Sequence, residues 1–219
     1  MTRTIIVGAG GHGQVVADML LRTGPRPDGF YDAAAGEIGP RVLDLLVFDE
    51  LPADAHNVIV AIGDNAQRMK LFKSLAIPRR NIIRAIHPSA IVGYDVTYGA
   101  GCVFCAGVIV GIGSRIGVDV ILNTGCSIDH HCTIGDHAHI APGAHLAGNV
   151  TVGEGTLVGI GAAVLPGVTL GAWCTVGAGA VVLADIPDGI TVVGVPAIPL
   201  RQDDVSTSSS KVSRRKART

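Results

Sequence analysis

The chain has 219 residues, a formal net charge of −1 and 48% hydrophobic residues. That length holds one or two cored domains. The balanced charge argues against a general nucleic-acid binder. No apolar run is long enough to span a bilayer, so no membrane association is expected. Met1-Thr2-Arg3 leads straight into a strand-like Thr4–Val7, so no signal peptide is expected and the cytoplasm is the default location. There are five cysteines, an odd number that fits no disulfide framework.

Residues 1–85 read as alternating strands and helices, which predicts a small parallel α/β domain. Thr4–Val7 is a short apolar strand. It is followed by a glycine turn, Gly8-Ala9-Gly10-Gly11-His12-Gly13. Gln14–Thr23 has helical spacing through Val15, Val16, Met19 and Leu20. Glycines between a strand and a helix let a phosphate approach the backbone, and the helix N-terminus supplies N–H donors. Asp32 follows about 20 residues on, where a ribose- or base-binding acid belongs. Gly29–Asp32, Leu45–Phe48, Val58–Ile62 and Ile82–Ile86 are further strands. Asp64–Leu75 is a helix capped near Asp64 or Asn65. Gly63, Asp64 and Asn65 mark a second strand-to-helix junction that can line the same crevice. Arg68, one turn on, reads either as part of that crevice or as a solvated arginine. The segment has room for half a dinucleotide domain, so a nucleotide-diphosphate ligand fits better than NAD.

From Val92 to Val182 every sixth residue is apolar, in 16 consecutive hexads. The residue two before each anchor is small or β-branched, and the residue after it is Gly in 9 of the 16. Period six suits a short strand and a turn, repeated, with anchor and small residue pointing the same way. The residue after the anchor is expected to supply the positive φ of a corner. Cys102, Cys126, Cys132 and Cys174 fall on the small inward position and read as buried hydrophobes. After Val182 the repeat stops. Residues 201–219 are polar, Ser-rich and basic at the end, and are expected to form a disordered tail.

Five histidines, His130, His131, His137, His139 and His145, lie within 16 residues. His130 and His131 fall just past a corner and point away from the axis. Imidazole suits general base work at neutral pH, and acyl transfer from a thioester needs such a base and an oxyanion donor. The cluster is expected on one side of the solenoid. Zinc is the competing use, as in the γ-class carbonic anhydrases, but it needs three converging ligands. His139 and His145 lie one hexad apart, on different faces of a coil. No metal is expected.

The hexads resemble those of the hexapeptide-repeat acyltransferases, whose fold is a left-handed parallel β-helix with three hexads per coil. Sixteen hexads then give about five coils. With the Gly8–Gly13 turn, Asp32, Gly63–Asn65, His87-Pro88, Asn123…His130, Ala147-Gly148-Asn149-Val150 and Gly194–Ala197, the chain is similar to the sialic-acid O-acetyltransferase and bacillosamine N-acetyltransferase family over about residues 3–200. The resemblance implies a Rossmann-like nucleotide-sugar domain over 1–85 and a left-handed β-helix acetyltransferase domain over 86–200. It implies acetyl-CoA as co-substrate, a nucleotide-linked 4-amino-4,6-dideoxy sugar (UDP-, GDP- or dTDP-linked) as acceptor, and a homotrimer with active sites between subunits. His130 matches the base, and Asn123 a position near the acceptor amine. His139 matches an acetyl-CoA contact, and Gly148 an N–H aimed at the thioester oxygen. Ile160 and Ala178 match the pantetheine groove. Gly10, Gly11, His12 and Asp32 match nucleotide-binding positions. One departure stands out: the family has a carboxylate directly after the base, and this chain has His131. Asp129 precedes the base at a corner and is not assumed to substitute. Three rival readings remain: sugar O-acetylation, a zinc hydratase and a non-catalytic nucleotide-sugar module.

Overall fold

A computed structural model describes residues 3–200. The basic tail expected over 201–219 lies outside the described residues. The N-terminal unit contains β1 (Arg3–Val7), α1 (Gly11–Thr23), β2 (Gly29–Tyr31), α2 (Ala35–Ile38), β3 (Arg41–Val42), β4 (Leu45–Phe48), β5 (Ala55–Val60), α3 (Asn65–Leu75) and β6 (Asn81–Ile82). Its six-stranded sheet has the order β3-β4-β2-β1-β5-β6, and every pairing except β3–β4 is parallel. The segment expected as one strand over Ile82–Ile86 is divided. β6 ends the first sheet, and Ala85–Ile86 is already the first rung of the next unit, pairing with Val103–Phe104.

From Ala85 onward the chain is a left-handed parallel β-helix. Two-residue strands stack in parallel on three faces, each pairing with a strand 18 residues away, as Val103 does with Ile121. The first face carries Val103–Phe104, Ile121–Leu122, His139–Ile140, Leu157–Val158 and Thr175–Val176. The second carries Ile109–Val110, Ser127–Ile128 and His145–Leu146, and the third Arg115–Ile116 and Thr133–Ile134. Anchors such as Leu122, Ile128, Ile140 and Val158 are fully buried, and so are the inward Cys102, Cys126, Cys132, Ala144 and Ala162. Cys105 is buried as well. Inward hydroxyls are paired: Ser114 Oγ donates to the Asp129 carbonyl at 3.0 Å and accepts from the Cys132 N–H at 3.2 Å. Each coil thus covers the apolar edge of the one below. The stack outlasts the hexad pattern, because Thr191–Val193 still pairs with Thr175–Val176.

The glycines of the repeat do two different jobs, and the expectation for one of them is corrected. Positive φ does not fall on the residue after the anchor. It falls two positions later, at every sixth residue from Asp95 to Gly179, including Asp119, His131, His137, Asn149 and Trp173. The glycine after the anchor is demanded instead by the next coil. A Cβ on Gly153 would lie 2.5 Å from the amide nitrogen of Ala172. Asn123, which follows the anchor Leu122, shows the same: its φ is not positive, and Gly125 takes that role in its corner.

α3 lies along the edge between the third and first faces. Phe72 packs on Gly101, whose Cβ would be 2.8 Å from the ring. Asn65 Nδ2 donates to the Gly155 carbonyl at 2.9 Å. Residues 65, 68 and 72 form one helical stripe, and it meets corner residues spaced 18 apart. On the other side Val16, Met19 and Leu20 of α1 share one core with Ala85, Cys102 and Phe104.

The two glycine roles predict different penalties. Gly153→Ala forces coils apart and is expected to cost about 2–3 kcal/mol, in the overpacking range. Gly125→Ala meets no atom within 4 Å and is expected to cost only the left-handed backbone penalty of about 1 kcal/mol. Thermal or urea melts of the two variants check the order.

Candidate active site

The glycine turn joins β1 to α1. Gly8 has φ 108°, and a side chain on Gly13 would strike the carbonyl of Gly8. These two glycines serve the turn itself. Gly10 and Gly11 differ: neither has positive φ, and a Cβ on either would meet nothing within 4 Å. Gly10 is the N-cap of α1 and makes no side-chain cap bond. Asp32 closes the turn from the side, its carboxylate accepting from the N–H of Ala9 at 2.9 Å and of Ala34 at 3.0 Å. His12, on the first turn of α1, has its Nε2 buried with no protein partner.

A mainly apolar cleft of about 590 Å³ runs over the first face of the β-helix, between that face and the loop at Gly63. Ile160, Ala178 and Pro142 form its wall, with Asn123, His139 and Thr175 as its polar side chains. The Nδ2 of Asn123 and the Nε2 of His139 are 3.1 Å apart, so the amide donates and the ring accepts. The Gly63 carbonyl faces the same ring. Burial, with help from Arg68 and His12, pushes the His139 imidazolium down to about 4. Burial and Arg68 do the same to His12, also to about 4. Both rings are therefore neutral at pH 7. Five residues named from sequence, Asn123, His139, Ile160, Ala178 and Gly63, line this one cleft.

His130 sits on a different edge, between the second and third faces. It is exposed, and its Nδ1 lies 3.2 Å from Nδ1 of His131. The ring of His130 rests on Gly148, one coil on: a Cβ there would lie 2.5 Å from Nε2. Gly148 has no backbone N–H partner among the described residues. His131 in turn lies over Gly113, one coil back, where a Cβ would be 2.7 Å from Cδ2. Base candidate, neighbouring imidazole and free N–H thus form one group by virtue of the 18-residue step.

The expectation that all five histidines share one side is corrected. His139 is on the first face, His145 on the second with its Nδ1 2.8 Å from Ser127 Oγ, and His130 and His131 are at the corner beyond. His137 is buried at the third corner, its Nδ1 2.8 Å from Asp119 Oδ2. A triangular cross-section sends successive hexads to successive faces, and nearness in sequence cannot gather them. No group of three or more His, Cys, Asp or Glu side chains that could hold a metal occurs among the described residues.

The reading of Arg68 is also corrected. It is neither solvated nor open to a crevice: its side chain is 0% exposed and pairs with Asp119 at 3.2 Å. Burial lifts the Asp119 carboxyl to about 6, against the pull of Arg68 and His137. Asp119 was not singled out in the sequence and His137 only as one of five clustered histidines; both stand at the positive-φ corner position, one coil apart. Asp64 caps α3, accepting from the Gln67 N–H at 2.7 Å, and Asn65 spans the two units. Gly63, Asp64 and Asn65 also border a smaller cavity of about 220 Å³ beside Trp173.

A three-faced hexapeptide β-helix with a mainly apolar cleft on one face and an exposed imidazole pair at the opposite corner is the architecture of an acyltransferase. The comparisons agree. Residues 3–75 match the PglD N-terminal domain family, and residues 149–184 match the bacterial transferase hexapeptide repeat. PerB from Caulobacter crescentus, solved with CoA and GDP-perosamine, is 39% identical, with a TM-score of 0.86 over 92% of this chain and 98% of that one. The acetyltransferase domain of PglB from Neisseria gonorrhoeae, solved with acetyl coenzyme A, is 36% identical, with a TM-score of 0.84 over 91% of this chain and 100% of that one. UDP-N-acetylbacillosamine N-acetyltransferase of Bacillus subtilis is 39% identical over 119 residues, 48% of this chain and 52% of that protein. The chain thus spans about half the length of this curated relative. It belongs to the family of hexapeptide-repeat sugar acetyltransferases that carry a PglD-type N-terminal domain.

The depressed histidines predict an acid-labile fold. An unfolded chain binds protons on His12 and His139 near pH 6.5, whereas the folded chain does so only near 4. Their contribution is therefore complete above pH 6.5 and is lost as pH falls through that window. Asp119 works in the opposite sense between its unfolded 3.8 and about 6, so the comparison between variants isolates the histidines. Melting temperatures of wild type and the His12→Gln/His139→Gln double variant between pH 7 and pH 4 should converge toward the acid end.

Proposed function

We propose that the protein transfers the acetyl group of acetyl-CoA to the amine of a nucleotide-linked 4-amino-4,6-dideoxy sugar, in surface glycan biosynthesis. The observation that carries this reading is the seating of His130 on Gly148, which sets a proton acceptor beside a free backbone N–H. For Nε2 of His130 to accept a proton, Nδ1 must carry its hydrogen and donate it to Nδ1 of His131. His131 then replaces the family's carboxylate as the acceptor that fixes the tautomer. The sugar amine attacks the thioester carbon, and a C–N bond forms. His130 takes the proton from nitrogen, the Gly148 N–H stabilises the oxyanion, and the C–S bond breaks to release the CoA thiolate, which recovers the proton. All five cysteines are buried, and burial pushes Cys126 up to about 12, so direct transfer is favoured over a thiol intermediate.

The pantetheine arm fits the cleft lined by Ile160 and Ala178, with His139 and Asn123 at its polar end. The nucleotide fits the space left open at Gly10 and Gly11, with N–H donors of α1 toward the diphosphate and His12 Nε2 free for a ligand. Asp32 braces the turn beside that space, while Gly63, Asp64 and Asn65 line the cavity beside Trp173. A homotrimer is part of the proposal: His130 and the Asn123–His139 pair stand on different edges of one chain, and a threefold assembly lets one subunit's His130 face a neighbour's cleft. Ile160, 61% exposed on the cleft wall, gains cover in that arrangement. A cytoplasmic setting agrees with five unpaired thiols. No helix among the described residues is long and apolar enough to cross a membrane.

Mass spectrometry of UDP-, GDP- and dTDP-linked 4-amino sugars incubated with acetyl-CoA tests the reaction. One sugar is expected to gain one acetyl group, and His130→Ala to lose about 100-fold or more in kcat. No gain on any member would sink the amine reading and leave the hydroxyl acceptors. Gly148→Ala should keep the fold, displace the His130 ring and lower kcat by a similar factor of about 100. An unimpaired Gly148→Ala enzyme would separate His130 from the chemistry.

A further inference from the structure

The guanidinium of Arg68 has more partners than any other side chain among the described residues. Nε lies 3.2 Å from the Asp119 carbonyl and 3.2 Å from its carboxylate. Nη2 donates to the His137 carbonyl. Nη1 donates to the Ile62 carbonyl at 3.1 Å, the Gly63 carbonyl at 3.4 Å and Asn65 Oδ1 at 2.9 Å. A buried charge pair of this kind is a poor stabiliser, because desolvation offsets most of the attraction, and an apolar residue of similar size often does as well. Retaining an arginine here calls for something an apolar side chain cannot do.

What it does is hold a strand end. Ala61-Ile62-Gly63 leaves β5 between the two proposed binding regions. On one side it packs against the glycine turn: a Cβ on Gly8 would lie 2.6 Å from Ile62 Cδ1 and 2.9 Å from the Ala61 carbonyl. On the other side Gly63 lines the apolar cleft, and its carbonyl faces the His139 ring. Arg68 is the only hydrogen-bond partner of the Ile62 carbonyl among the described residues. Gly63 itself is unconfined, since a Cβ there would meet nothing within 4 Å. The same guanidinium reaches two successive coils, through the carbonyls of Asp119 and His137. It is the link that sets where the strand end stands relative to the β-helix.

We propose that Arg68 is a positioning residue that seats the Ile62–Gly63 strand end, and through it His139, against the acyl-CoA cleft. This rests on the acetyl-CoA reading of that cleft. The glycine turn has separate anchors, the Tyr31 carbonyl on Gly8 N–H at 2.8 Å and Asp32 on Ala9 N–H at 2.9 Å. Loss of Arg68 should therefore reach the CoA side and spare the nucleotide side.

Calorimetric titration of the full chain with CoA, and with whichever of UDP, GDP and dTDP binds the wild type, tests this. Arg68→Lys keeps the charge but cannot span both the strand end and the coils. CoA is expected to bind about tenfold more weakly while nucleotide affinity stays within about twofold. Asp119→Asn keeps the shape of the pair and loosens the guanidinium from the far side; it should show the same split at smaller size, and it decides the matter if Arg68→Lys does not fold. CoA affinity within about twofold of wild type in a folded variant, even with a lower melting temperature, would make Arg68 a brace and overturn the proposal. Equal loss of both ligands would overturn it too, as a general loosening. A wild-type chain that binds no CoA would remove the acetyltransferase reading itself.

Discussion

The structure depends on one repeated constraint, the hydrogen-bonded ladder between residues 18 apart. Three hexads close one triangular coil, and each strand pairs with the strand directly beneath it, as Ser127–Ile128 does with His145–Leu146. Because the step never varies from Val103 to Val176, side chains 18 residues apart are stacked neighbours. That is why His130 meets Gly148, His131 meets Gly113, His137 meets Asp119, and Trp173 lies over Gly155. The solenoid brings distant residues together without any loop having to fold back, and an inserted or deleted residue would break every such pair that spans it.

The same ladder explains how a second unit can be attached rigidly. A corner edge presents one residue every coil, and α3 presents Asn65, Arg68 and Phe72 along one stripe. Where the corner is glycine, a ring or an amide fills the space, as at Gly101 and Gly155. Where it is Asp119 or His137, a guanidinium meets it. At Arg68, Asp119 and His137 the junction is thereby polar and buried at once. Its cost appears in the neutral His12 and His139, both held down to about 4 by burial and by the positive charge of Arg68. A neutral His139 can accept from Asn123, which a charged ring could not do.

In the proposed mechanism His131 stands next to the base candidate, where the resemblance to sugar acetyltransferases implies a carboxylate. The two Nδ1 atoms face each other at 3.2 Å, which leaves Nε2 of His130 directed outward beside Gly148. An imidazole can fix a tautomer as a carboxylate does, because it too has a lone pair in the ring plane. It brings no negative charge to that corner, so the dyad here is held by hydrogen-bond direction more than by attraction.

The repeat, its apolar anchors and the buried cysteines were legible in the sequence because period and side-chain size are local properties of a stacked fold. The glycine turn, the capped α3 and the likeness to sugar acetyltransferases were legible for the same reason: each is a short run with its own geometry. The sequence alone therefore determined the two-unit architecture, the inward positions and the residue types available for acyl transfer. Only the tertiary structure decided which of them meet. It dispersed five clustered histidines over two faces and two corners, and it gathered Asn123, His139, Ile160, Ala178 and Gly63 around one cleft. It also made Arg68, read from sequence as either lining a crevice or solvated, the buried link between units, and moved positive φ two positions from where the glycines suggested. These outcomes depend on which coil lies above which and which edge a helix covers, distances that a one-dimensional pattern does not contain.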